Sequence, residues 1–144
     1  MPGPMNDCYV IAPSRSAYLA LEFLKHFVPS HEPTWDETDP AEVLGVARNA
    51  SLEDVLEFLE QNVEREYTMY LRNRESTSPY FAILAYLDDG ALIFGLSGDD
   101  EEQATLRMLD QLERFAGFRG YWGFEEPPAI SREEFLARVR KGNP

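Results

Sequence analysis

The sequence predicts an α+β domain: a mixed, mainly antiparallel sheet of about five strands, packed by three main helices and a short C-terminal helix. Three observations lead there. Hydrophobic residues make up 44% of the 144 residues, enough apolar surface to offset the conformational entropy of ordering one core. Short β-prone runs are interspersed with stretches whose apolar residues recur at helical spacing. Two of those runs, Tyr80–Leu87 and Ala91–Leu96, flank Asp88-Asp89-Gly90, a hairpin signal because Asp and Gly tolerate positive φ.

The elements follow in order. Cys8–Ala12 is an apolar run stopped by Pro13, which suits a buried strand. Ser14 or Ser16 caps a helix carrying Ala20, Phe23, Leu24, Phe27 and Val28 on one stripe, ended by Pro29. Residues 29–40 hold three prolines and four carboxylates, a composition expected to form a long loop with neither strand nor helix. Ser51 then opens an amphipathic helix over residues 51–64, with Leu52, Val55, Leu56, Leu59 and Val63 inward. Tyr67–Leu71 alternates, placing Tyr67, Met69 and Leu71 on one face. The near-continuous apolar run 80–87 predicts a strand at the sheet centre or covered on both faces.

Acids at 99–102 mark the start of a helix whose stripe is Ala104, Met108, Leu109, Leu112, Phe115 and Ala116, ended by Gly117. A last strand is expected near 120–124. Ser131 and Glu134 have capping-box spacing, and Ile130 and Phe135 occupy the positions of a hydrophobic staple, so a helix should start at Ser131 or Arg132. The chain reads as one domain over residues 1–144, with residues 1–6 disordered.

Composition narrows the function classes. The lone Cys8 has no disulfide partner, and no cysteine cluster is spaced for zinc, as suits a reducing compartment. The first residues lack a secretion signal and no run approaches the roughly 18 apolar residues of a membrane span, so the expected location is cytoplasmic. Thirteen Lys and Arg against 26 Asp and Glu give a net charge of −13, which repels phosphate backbones and anionic lipid. Nucleic acid and membranes are therefore not expected partners. The charge is also directional. Residues 30–66 carry eleven carboxylates against Arg48 and Arg65, while the segment from Glu125 onward is balanced. Such a field steers a basic partner to one face.

Catalytic patterns are sparse. A nucleophilic site needs an activated Ser, Cys or Lys beside a base, yet the histidines are His26 and His31 alone. His26 belongs on a helix surface, and Cys8 in an apolar strand reads as an inert thiol. His26, His31 and Glu32 lack the i, i+4 spacing of helix-borne metal ligands. Gly117, Gly120 and Gly123 follow a helix, whereas a phosphate loop opens one. Arg138, Arg140 and Lys141 fall at a helix C-terminus, where the dipole favours cations. No cofactor, metal or catalytic residue is expected.

What stands out is Trp35 between Pro33 and Asp36, Glu37 and Asp39. It is either folded onto the core or an exposed aromatic anchor ringed by carboxylates. Glu42, and Glu53, Glu57, Glu60 and Glu64 on the outer face of the following helix, extend the charge. Trp35, Asp36, Glu37, Asp39, Glu42, Glu53, Glu57, Glu60 and Glu64 form the expected binding surface for a basic protein. Two other readings are open: a small carboxylate enzyme with a pocket around Tyr70, Tyr80, Tyr86 and Trp122, and a regulatory or scaffold module whose acids only solubilise it.

The stretch 51–96 resembles the immunity proteins of bacterial polymorphic-toxin and contact-dependent-inhibition systems, particularly the family that includes deaminase-toxin antidotes. The likeness lies in a Leu-rich helix (SLEDVLEFLEQN), a strand (EYTMYLRNR) and a Tyr-rich strand pair (SPYFAILAYLDDGALIFGL). It implies an antitoxin that neutralises a cognate nuclease or nucleic-acid deaminase by stoichiometric binding, its carboxylates standing in for substrate phosphates.

Overall fold

The computed structural model describes residues 5–35, 39–124 and 129–144. The elements are β1 (Met5–Ile11), α1 (Ala17–Phe27), β2 (His31–Pro33), α2 (Pro40–Leu44), α3 (Leu52–Gln61), β3 (Tyr67–Asn73), β4 (Phe81–Tyr86), β5 (Leu92–Asp99), α4 (Glu102–Ala116), β6 (Tyr121–Gly123) and α5 (Arg132–Lys141). The fold is α+β. Its curled sheet runs β2-β3-β4-β5-β1-β6, and each neighbouring pair is antiparallel. Among the described residues the sheet thus has six strands and no parallel pair, against the five mixed strands expected.

Period-two alternation splits the sheet's side chains between two cores. On one face Cys8, Val10, Met69, Leu71, Leu84, Phe94 and Leu96 meet the apolar stripes of α1, α3 and α4. There Phe23 of α1 stacks on Phe94 of β5 with ring centroids 4.3 Å apart. On the other, Tyr9, Ile11, Ile83, Ile93 and Tyr121 pack with Phe135 of α5. β4 lies inside the sheet with both faces covered, as its unbroken apolar run requires.

Several expectations need correction. β2 lies within the segment expected to be a loop. It pairs with β3 through His31–Asn73, Glu32–Arg72 and Pro33–Leu71, and a proline is tolerated there because β2 is an edge strand. α2 was not anticipated; Asp39 Oδ1 accepts from Ala41 N at 2.9 Å, Pro40 fills the first helical position and Gly45 closes the helix at φ +78°. α3 stops at Gln61, where Asn62 turns back with its Nδ2 2.7 Å from Phe58 O, so Val63 is 52% exposed and not in the stripe. Met5 and Asn6, expected to be disordered, pair with Asp99 and Gly98 in the sheet. Ser131 caps α5 through Glu134 N at 3.0 Å, but Ile130 is 67% exposed while Phe135 is buried, so the staple between them is not made.

Arg15 fixes how α3 sits on the sheet. It is 7% exposed and donates to five backbone carbonyls: Nε to Leu59 at 2.6 Å, Nη1 to Leu87 and Ala91, and Nη2 to Asn62 and Arg65 at 3.1 and 2.7 Å. The fork gathers carbonyls from the end of α3 and from the β4–β5 turn, of which Asn62, Leu87 and Ala91 also accept a backbone N–H, and its charge complements the negative end of the helix dipole. Its carbon lies 5.0 Å from the centroid of the Tyr86 ring.

Candidate functional site

The acidic surface is built on α3. Ser51 and Asp54 form a reciprocal capping box, each side chain accepting from the other's backbone N–H at 3.1 Å, which starts the helix at a fixed residue. Val55, Leu56 and Leu59 are fully buried, and this inward stripe turns Glu53, Glu57 and Glu60 outward. Arg65, just beyond the helix, donates to Val43 O at 2.9 Å and lies 5.6 Å from the Phe58 ring centroid, tying α2 to the end of α3.

Between the 46–50 loop and α3 runs a groove of about 310 Å³. Val46, Ala50 and Phe58 form its apolar floor, and each leans on the main core. Asp54, Glu57 and Gln61 form its polar rim. Ion pairs among the described residues join Glu32 to Arg72 and Arg74, and Asp110 to Arg114; none engages Glu42, Glu53, Glu57 or Glu64. The surface is thus an apolar strip flanked by carboxylates of which Glu42, Glu53 and Glu57 form no ion pair with a described cation, while Glu64 acts at longer range on Arg15. No protein-family model matches the chain, nor does any curated protein or solved structure.

The structure divides the expected site residues. Glu42, Glu53, Glu57 and Glu64 are exposed on the surface around α2 and α3. Glu60 is exposed yet occupied: its Oε1 accepts from Ala17 N at 2.6 Å, satisfying an orphan donor at the start of α1. Asp39 is committed to capping α2. Trp35 is half-buried and packs against the main core, with its Nε1 shielded and without a hydrogen-bond partner. It therefore takes the folded-back placement. Asp36 and Glu37 lie outside the described residues. Phe58, which sequence reasoning placed nowhere, supplies the aromatic of the groove; its signal was position, one step off the buried stripe between Glu57 and Glu60.

Electrostatics separate the exposed acids from the internal groups. Glu32 is held below the usual carboxylate range by its hydrogen bond to Arg72 and secondarily by Arg74, so it adds little to the uncompensated field. Burial pushes the Cys8 thiol up to about 12, which makes it a poor nucleophile. Burial also raises the Tyr86 phenol and lowers the Arg15 guanidinium, the latter opposed by Glu64 and Asp89. The aromatic pocket considered above is not assembled. Tyr86 belongs to the core under α1, α3 and α4, whereas Tyr70 packs on the opposite face of the sheet; Tyr80 donates to Asp99 at 2.7 Å.

Proposed function

We propose that this chain is a protein-binding module that captures a basic protein on the acidic surface of α2 and α3, and that it acts as an immunity protein neutralising a toxin of nuclease or nucleic-acid deaminase type. The observation that carries the reading is the groove floored by Phe58, Val46 and Ala50 with Asp54 and Glu57 at its rim, on a helix that also exposes Glu53. An apolar centre with a charged rim is how interfaces combine slow dissociation with steered association. A basic nucleic-acid cleft has the opposite charge, and carboxylates spaced along a helix can take the places of its phosphates. The sequence pattern of residues 51–96 supports the same reading.

The test is co-expression with the product of the adjacent gene. Rescue of growth, and a one-to-one complex on size exclusion, are the expected results. If that product is not toxic, or remains toxic in the presence of the chain, the antitoxin reading falls.

A further inference from the structure

A separate cavity lies at the far end of the sheet. Of about 490 Å³, it opens where β1, β6 and the start of α4 meet, walled by Met5, Asn6, Asp100, Glu102, Trp122 and Phe124. Trp122 and Phe124 stand edge to face, 5.5 Å apart at 87°. Trp122 is half-buried against the main core, while Phe124 is 68% exposed. The two perpendicular rings offer a ring face and a ring edge to whatever enters.

The polar wall specifies charge. Asp100 and Glu102 are both exposed, and neither enters an ion pair among the described residues. An anion is disfavoured even though a helix begins here, because the Glu101 carboxylate already accepts from Gln103 N and Ala104 N at 3.0 Å. Asn6 adds a fixed acceptor. It is 4% exposed, and its Nδ2 donates to Thr105 Oγ1 at 3.0 Å and Asp100 O at 3.3 Å. The Asp100 carbonyl can only accept, so the amide orientation is determined, and among the described residues no donor reaches Oδ1, an acceptor on a side chain of the cavity wall.

We propose that this cavity receives an arginine side chain of a partner polypeptide. A guanidinium is planar, stacks on aromatic rings, and offers several donors in one plane to carboxylate and amide oxygens. Lysine presents a compact, strongly hydrated charge that uses the ring pair and the Asn6 acceptor less well. The site is independent of the α3 surface and stands or falls without it.

The test is titration of the isotopically labelled protein with acetyl-Gly-Arg-Gly-amide, followed by NMR, with the lysine peptide as control. The arginine peptide should give saturable shifts at the Trp122 indole and the Asn6 side-chain amide, at lower concentration than the lysine peptide. Phe124→Ala and Glu102→Gln, both at exposed positions that leave the fold intact, should each weaken binding about two- to fivefold. Shifts confined to α3, equal response to the two peptides, or unchanged affinity in both variants would each overturn the assignment.

Discussion

Glu60 Oε1 lies 2.6 Å from the backbone nitrogen of Ala17, so one carboxylate of the acidic helix is a structural tie between α3 and the start of α1. Its neighbours Glu53 and Glu57 have no such task. Glu60→Ala should therefore cost about 1 kcal/mol of stability, comparable to loss of a helix cap, whereas Glu57→Ala should fall within about 0.5 kcal/mol of the parent. Urea denaturation of the two variants side by side checks the division. Equal effects would mean that Glu60 belongs with the free acids.

Arg15 should be the most sensitive polar position. Arg15→Ala leaves the carbonyls of Leu59, Asn62, Arg65, Leu87 and Ala91 without their shared donor, and the expected loss is roughly 3 to 5 kcal/mol. Arg15→Lys keeps the charge but not the fork, and should recover only part of it. Tyr86→Phe should do the reverse of Arg15→Ala. The Tyr86 hydroxyl is buried without a hydrogen-bond partner among the described residues, so its removal should be neutral or stabilise by up to about 1 kcal/mol. Thermal and denaturant midpoints of the three variants are the measurement.

Asp89 links the β4–β5 turn to α5. Its Oδ1 accepts from Ala91 N at 3.1 Å and its Oδ2 from Arg132 N at 2.7 Å. Burial raises its pKa, but the hydrogen bonds from Arg132 and Ala91 outweigh that and leave it below the ordinary Asp value. A depressed folded pKa stabilises the protein above the unfolded value near 4, and this contribution is lost as pH falls through the folded pKa. Asp89→Asn should be less stable than the parent at pH 7, with the gap closing below about pH 4. A gap independent of pH would show that charge plays no part.

Much of the fold was legible in the sequence. Apolar periodicity marked α1, α3 and α4, the Asp-Gly turn marked the β4–β5 hairpin, and Ser131 marked the start of α5, because each rests on contacts within a few residues. β2 was not legible, since a three-residue strand containing Pro33 exists only through its ladder to β3, forty residues on. α2 was legible in principle: Asp39, Pro40 and Gly45 are a cap, a first-turn proline and a left-handed terminator, hidden by reading the segment's composition as a whole. The site was half legible. Charge located the surface of α2 and α3, but which carboxylates were already bonded, and that Phe58 and not Trp35 floors the groove, depends on tertiary placement.

Gly120 marks a tight crossing that periodicity could not reveal. A Cβ there would lie 2.0 Å from the Tyr9 carbonyl oxygen, and backbone cannot yield as a flexible side chain can. Gly120→Ala should destabilise by about 3 kcal/mol or more. Gly123→Ala meets the flexible end of Arg138 at 3.3 Å and the Tyr121 ring at an ordinary 3.8 Å, and should be much milder. Denaturation of the pair checks the contrast.

The central claim is that the free carboxylates around α3 steer and hold a basic partner. Its most direct test is stopped-flow association of the chain with the candidate toxin, the product of the adjacent gene, across a range of salt, for the parent and for a Glu53→Gln, Glu57→Gln double variant. The account predicts an unchanged fold, slower association at low salt and a flatter dependence on ionic strength for the variant. Identical association rates and identical salt slopes for the two proteins would contradict it.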